Sequence, residues 1–277
     1  MRSAIFNTLF YLATLVAAIT LWILAKISNR RVMWKALHLW SGTVKLLTQL
    51  LLGAKIEVRG RAHLSDKPQL IVGKHQSELD VVMMVDEFTD FSAVVMAELA
   101  NYPMFPTLLN ALDLVLVAVD QGKQGRTEQT IEGGKRVAAQ GRDMLIYPEG
   151  ELMKLGAKER YKSGVGHLYC NMGVEAVPVA FSLGVIWPQR QWHKYPNKRG
   201  VMEFMEPIPP GLPFDDFMAL IEERLETRTM ELIRETADGE VLEAAERRFA
   251  NKENNHGDVP EKVESAASAK EDVPPAA

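Results

Sequence analysis

Two side chains in one short segment of this chain have the types and the spacing that proton transfer requires. His75 and Asp80 lie within residues 73–80, GKHQSELD, directly after the apolar run QLIV. A histidine in a turn and an aspartate at the start of the next helix can meet. The carboxylate then fixes the ring tautomer and raises the basicity of the other nitrogen. The pair predicts a general base, while spacing alone leaves a structural histidine near a helix N-terminus as the alternative.

The chain offers this base no nucleophile of its own. The motif G-x-S-x-G is absent from the sequence. The single cysteine, Cys170, lies in an apolar Leu-Tyr-Cys-Asn context without a basic cluster beside it, which is typical of an inert thiol. A histidine–aspartate pair without a nucleophile implies that a bound substrate supplies the attacking group.

A second cluster, Tyr147-Pro148-Glu149-Gly150, follows the apolar run at 143–146. Proline restrains the backbone there, Glu149 adds a charge, and Gly150 permits close approach or a positive φ. Four basic residues come soon afterwards: Lys154, Lys158, Arg160 and Lys162. The pattern fits either a phosphate-binding patch or an ordinary turn followed by a solvated loop.

Composition excludes several classes of protein. The 277 residues are 47% hydrophobic and 25% charged, which is typical of a globular chain. One cysteine rules out an internal disulfide and any zinc site built from several thiolates. The isoelectric point near 5.9 argues against general nucleic-acid binding.

The N-terminal end has the character of a membrane anchor. Residues 1–55 carry seven basic side chains and no acidic one, and residues 3–25 form an uncharged, mostly apolar stretch. The basic residues 26, 30, 31 and 35 follow directly, so the positive-inside rule places the rest of the chain in the cytoplasm. We expect membrane helices over 1–54, and leave open whether the first spans the bilayer or lies in its interface. For the helix at 34–53, docking on the body is as plausible as contact with headgroups.

Strand-like and helix-like segments alternate from residue 55 onward, which predicts an α/β domain with a largely buried sheet. The predicted strands are 55–59, 69–73, 91–96, 113–119, 143–147, 176–181 and 201–206. The predicted helices between them are 79–85, 104–111, 127–139 and 165–172. A charged helix is expected within 213–250, and the polar segment 251–277 is expected to be disordered.

These segments, taken in order, resemble the glycerolipid acyltransferase family that includes lysophosphatidic acid acyltransferase. His75 and Asp80 are similar to the first conserved block of that family, and residues 147–150 resemble its Pro-Glu-Gly block. Further likeness lies at 97–103, 117–120, 161–164 and 177–179, so the resemblance covers about residues 55–210. It implies a single acyltransferase domain over 55–212, with a mixed sheet flanked by helices.

The resemblance also implies an activity. An acyl group would pass from acyl-CoA or acyl carrier protein to the hydroxyl of a lysolipid, first of all 1-acylglycerol-3-phosphate, giving phosphatidic acid. His75 would act as general base and Asp80 would orient it, with no metal, cofactor or covalent intermediate. The implied partners are the lysolipid, the acyl thioester, the bilayer and possibly the carrier protein, with no nucleic acid.

Two departures bear on the acceptor. The arginines that the family places on the acceptor phosphate are replaced by Gln121 and Leu152. Neither replacement can form the bidentate contact that arginine makes with phosphate. We expect Glu149 and Gly150 to line the acceptor site, and nearby cations to take over the phosphate, namely Lys123, Arg126, Lys154 or Lys162.

Several alternatives remain open at this point. The acceptor could be a different lysolipid, such as a lysophospholipid with a larger headgroup or a lyso-aminolipid. The chain could also be a membrane lipid-binding protein without catalysis, a hydrolase in which His75 activates water, or a scaffold with an amphipathic anchor.

Overall fold

The computed structural model describes residues 1–118 and 122–251. Two N-terminal helices, α1 (Arg2–Ile27) and α2 (Arg30–Leu52), precede the α/β body. The predicted disordered tail lies outside the described residues, except for Asn251, which ends the last helix.

The body alternates strands with helices, as the sequence predicts. Its strands are β1 (Lys55–Arg59), β2 (Leu70–Gly73), β3 (Phe91–Met96), β4 (Val115–Val117), β5 (Asp143–Ile146), β6 (Ala176–Phe181) and β7 (Arg199–Phe204). Its helices are α3 (Glu78–Glu87), α4 (Phe105–Ala111), α5 (Gly122–Ala139), α6 (Gly164–Met172), α7 (Phe214–Thr236) and α8 (Gly239–Asn251).

Within the described residues, the strands form one seven-stranded mixed sheet in the order β1-β7-β6-β2-β5-β3-β4. The pair β6–β7 is antiparallel, and the other neighbours are parallel. Every residue of β2 and β6 is buried, which explains their unbroken apolar sequences. The predicted α/β class with a buried mixed sheet is confirmed.

Helix α2 is docked on the body. Its side chains Met33, Trp34, Val44 and Leu52 are buried. Two of its basic residues pair with carboxylates of the body: Arg30 with Asp90 at 2.8 Å and Lys45 with Asp86 at 2.5 Å. Both belong to the basic N-terminal end that the sequence analysis assigns to membrane attachment. The basic N-terminal end thus serves partly to hold the helix on the acidic body.

The C-terminal region corrects one expectation. The single helix expected within 213–250 is two helices, because the backbone becomes extended at Ala237 and Gly239 then takes a positive φ of 51°. The turn folds α8 back toward the loop after β5. Gly156 of that loop approaches so closely that a Cβ there would lie 2.1 Å from the carbonyl oxygen of Ala245.

A buried carboxyl at the start of β5 makes the stability of the fold depend on pH. Burial raises the pKa of Asp143 from 3.8 to about 6, although the backbone N–H of Gln69 donates to it at 2.9 Å. The neutral form is therefore favoured in the folded state. Its contribution to stability is present below about pH 4 and is lost as the pH rises through about 6.

We predict that Asp143→Asn removes this dependence. Between about pH 4 and about pH 7, the wild type should lose about 2–3 kcal/mol of unfolding free energy relative to the variant. Denaturant unfolding followed by tryptophan fluorescence measures the difference. A constant difference across that range would contradict the assignment.

Candidate active site

The two predicted clusters meet because their strands are parallel neighbours. Val72 of β2 pairs with Ile146 of β5, so the residues that follow both strands emerge at the same edge of the sheet. The ring of His75 stacks on the ring of Tyr147, with centroids 4.1 Å apart and planes inclined by 16°. The stack restrains the orientation of the imidazole through contact with one face of its ring.

Asp80 holds the same imidazole from its edge. Nδ1 of His75 lies 3.2 Å from Oδ2 of Asp80. That oxygen also accepts from the backbone N–H groups of Gln76 at 2.7 Å and Ser77 at 2.8 Å. Ser77 caps α3, and Asp80 completes the capping box from its third position. The start of the helix thus places the carboxylate beside the ring.

The electrostatic environment of this pair suits a base. The side chain of Asp80 is completely buried, whereas that of His75 retains 16% exposure. Burial raises the pKa of Asp80 above its usual value, while His75 and the two backbone N–H groups oppose that shift. When the carboxylate accepts from Nδ1–H, Nε2 carries the free lone pair and can take a proton from a bound group.

The loop after β5 is tied to this pair by its backbone. The N–H of Met153 donates to the carbonyl of His75 at 2.6 Å, and the N–H of Lys162 donates to the carbonyl of Pro148 at 2.9 Å. Gly150 has a φ of 72°, and a Cβ there would lie 2.3 Å from Nζ of Lys162. The positive φ favours glycine at this position, and the structure places Nζ of Lys162 directly over it.

Glu149 is placed differently from the expectation that it lines the acceptor site. Its side chain is completely buried and its Oε1 lies 3.2 Å from Nζ of Lys74. Because the turn directs it beneath the surface, the structure gives it a contact with the protein interior in place of a ligand contact.

Of the other predicted cations, Lys123 and Arg126 belong to α5, whereas Lys154 lies in the loop between β5 and α6. Arg126, in the second turn of that helix, donates to the carbonyl of Gly122 at 3.2 Å. Helix α5 comes after β4, whose carboxyl end shares the edge of the sheet with His75, so Arg126 lies on the same side of the domain. Gln121 and the side chain of Lys123 are outside the described residues.

Sequence reasoning missed two residues next to this site. Lys74 precedes the catalytic candidate yet is 1% exposed, and it contacts Glu226 of α7 at 2.6 Å. The helical spacing of Glu226 from Met230 and Ile233 places it on the buried face of α7. A charged residue at such a position is the signal that could have indicated a buried ion pair.

Residues 55–182 match the family model described as Acyltransferase. This region, a little under half of the chain, is therefore similar to acyltransferase domains. The matched region begins with β1, includes His75, Asp80 and the 147–150 turn, and ends just after β6.

Two curated relatives carry the name 1-acyl-sn-glycerol-3-phosphate acyltransferase. The protein of Pseudomonas aeruginosa strain PAO1 is 30% identical over 158 residues, which are 57% of this chain and 61% of the relative. The protein of Saccharomyces cerevisiae is 28% identical over 141 residues, 48% of this chain and 45% of the relative. The matched part of this chain thus spans less than two thirds of the length of either relative.

A solved structure shares the fold over most of the chain. The crystal structure of the 1-acyl-sn-glycerophosphate (LPA) acyltransferase PlsC from Thermotoga maritima superposes with a TM-score of 0.67 at 18% identity. The match covers 84% of this chain and 98% of that structure. The likeness of fold therefore extends beyond residues 55–182 into the flanking helices.

We predict that the hydroxyl of Tyr147 is dispensable and its ring is not. The hydroxyl is buried and forms no hydrogen bond within the described residues. Burial raises the pKa of this hydroxyl well above 10. Tyr147→Phe should preserve the stack and leave the melting temperature equal or higher, because an unpaired buried hydroxyl costs about 1–3 kcal/mol.

Tyr147→Leu should instead release the imidazole and lower the turnover number by about tenfold. Thermal unfolding and steady-state turnover measure the two effects. Equal losses of activity in the phenylalanine and leucine variants would show that the hydroxyl, and not the stacked ring, matters.

Proposed function

We propose that this chain transfers a fatty acyl group from an acyl thioester to the free hydroxyl of 1-acylglycerol-3-phosphate, giving phosphatidic acid. The single observation that carries the proposal is the His75–Asp80 pair, stacked, capped and partly open to the surface within a region similar to acyltransferase domains. The names of the two curated relatives support the choice of acceptor.

The pair supports direct transfer between two bound substrates. Asp80 accepts from Nδ1–H of His75, so Nε2 removes the proton from the acceptor hydroxyl. The resulting oxygen attacks the thioester carbonyl, and a tetrahedral oxyanion forms. When the carbon–sulfur bond breaks, the ester is complete and the imidazolium returns its proton to the thiolate. We propose that this series of reaction steps uses neither a metal ion nor a covalent acyl-enzyme intermediate.

Lys162 and Arg126 are the proposed partners of the acceptor phosphate. Lys162 lies across Gly150 beside the 147–150 turn, and Arg126 lies on α5 at the same edge of the sheet. The donor is proposed to be acyl-CoA or acyl carrier protein, because both present the same thioester.

We predict that His75→Ala lowers acyl transfer by about 100-fold to 10,000-fold, because it removes the general base. The assay uses purified protein, labelled acyl-CoA or acyl carrier protein, and a panel of lysolipids with different headgroups. His63→Ala is the matched control, since His63 follows β1 at the opposite edge of the sheet.

Each result of this assay has a distinct meaning. Transfer to 1-acylglycerol-3-phosphate that is lost in His75→Ala supports the proposal. Transfer only to another lysolipid replaces the acceptor and retains the chemistry. Release of free fatty acid without an acceptor indicates a hydrolase, and full activity in His75→Ala would refute the role of the histidine.

Membrane association follows from α1, which by length and composition is able to cross a bilayer. We propose that it instead lies along one leaflet, because its polar side chains attach it to the body. Ser3 donates to the carbonyl of Lys194 at 3.0 Å, Asn7 donates to that of Trp192 at 2.8 Å, and Thr14 accepts from Trp40 of α2 at 3.1 Å. Because the helix is bound to the body at its start and to α2 near its middle, spanning hydrocarbon would require it to break these contacts.

The opposite face of α1 is free for lipid. It presents exposed apolar side chains at helical spacing: Ile5, Leu9, Leu12, Val16, Ile19 and Ile23. Such a face suits burial in the outer part of the acyl-chain region. We place the body on the cytoplasmic side, where anionic headgroups attract the basic residues Lys26, Arg31 and Lys35.

We predict that Val16→Glu reduces binding to anionic liposomes by about tenfold or more, because it places a charge on the lipid-facing side. Ala219→Glu, on an exposed part of α7, is the matched control. Vesicle flotation measures the bound fraction.

Orientation is tested by single cysteines at Arg2 and Ile27 in a Cys170→Ser background. An impermeant maleimide added to sealed vesicles should label both or neither, because both ends lie on one side. Labelling of one position from each side would establish a spanning helix.

A further inference from the structure

A buried cluster of charges lies beneath the active-site turns. The side chain of Lys74 is 1% exposed, and its Nζ contacts Oε1 of Glu149 at 3.2 Å and Oε1 of Glu226 at 2.6 Å. The same oxygen of Glu226 accepts from the hydroxyl of Tyr161 at 3.0 Å. We call Lys74, Glu149 and Glu226 the buried triad.

The triad joins three segments that are remote in sequence. Lys74 directly precedes His75, Glu149 lies two residues after the stacked Tyr147, and Glu226 belongs to α7, 152 residues beyond Lys74. Glu226 also lies outside the region 55–182 that matches the family model. The cluster therefore links a helix beyond the matched domain to both turns of the proposed site.

The single cation of the triad lies between two carboxyl groups. Burial lowers the pKa of Lys74, but the negative charges of Glu149 and Glu226 outweigh it, so the pKa is raised and the lysine stays charged. Removing one member of a buried ion cluster leaves the others with fewer opposite charges, which is strongly destabilising and weakens the hold on the surrounding backbone. In this chain that backbone carries His75 and Tyr147.

We propose that Lys74 and Glu226 are positioning residues for acyl transfer, holding the His75 turn against the 147–150 turn through the buried triad. The inference rests on the proposed function of His75 as general base. Neither residue needs to touch substrate, because both are buried while His75 is partly exposed. They act by keeping the imidazole between Asp80 and Tyr147.

Two substitutions of Glu226 separate positioning from general packing. Glu226→Leu keeps an apolar helix face but removes the contact to Lys74, and should lower the turnover number about tenfold while KM for both substrates changes less than about twofold. Glu226→Gln keeps an oxygen that accepts from Lys74 and Tyr161, so it should retain about a third or more of the turnover number. Lys74→Met breaks both contacts and should cost more than Glu226→Leu.

Arg142→Met is the matched control. Arg142 is a buried arginine at the opposite edge of the sheet, paired with Asp90 at 2.9 Å and Asp113 at 3.1 Å. It should lower the melting temperature and leave the turnover number unchanged when the assay is run on folded protein. Should Lys74→Met fail to fold, the two Glu226 variants still decide the question.

A readout independent of turnover completes the test. The ring nitrogen signals of His75, assigned with a His75→Gln variant, report whether Nδ1–H remains bonded to Asp80. These signals should shift in Glu226→Leu and stay close to wild type in Glu226→Gln and Arg142→Met. Unshifted signals together with wild-type turnover in Glu226→Leu would overturn the inference. A wild type that transfers to no lysolipid counts against the proposed function alone, and the signals still decide the positioning claim.

Discussion

The contact between the buried carboxylate of Asp80 and the imidazole of His75 is the interaction on which the rest of this site depends. One oxygen of Asp80 accepts from the histidine and from two backbone N–H groups at the start of α3. Local helix capping and the alignment of the proposed base are thus the same set of hydrogen bonds. A change that disturbs the start of this helix would also disturb the base.

Neighbouring parallel strands supply the second constraint. Because β2 and β5 run side by side, the turn that carries His75 and the turn that carries Tyr147 face each other across one edge of the sheet. The buried triad lies below the same two turns and extends their support to α7. The site is therefore held by elements from all three thirds of the chain, although its chemistry resides in a few residues at the ends of two strands.

Part of the positive charge of the N-terminal end is neutralised by the body of the folded chain. Arg30 and Lys45 bind carboxylates of the body and hold α2 in place, while the apolar face of α1 remains exposed. A sequence with seven cations and no acid over 55 residues is consistent with membrane attraction, and its composition does not reveal which of those cations the body neutralises. That division depends on where Asp86 and Asp90 lie in three dimensions.

The sequence by itself determined the α/β class, the bounds of β1, β3 and β6, and the pairing of His75 with Asp80. Those features depend on local periodicity and on a spacing of five residues, which the chain carries wherever it folds. Only the tertiary structure decided that Glu149 points inward, that Tyr147 supports the imidazole, and that Lys74 pairs with a residue 152 positions away. It also divided the C-terminal segment into α7 and α8. Helix α8 packs directly against Gly156, where the absence of a side chain leaves room for the backbone of Ala245. Such contacts join residues distant in sequence, and no pattern within one segment records the segment against which it packs.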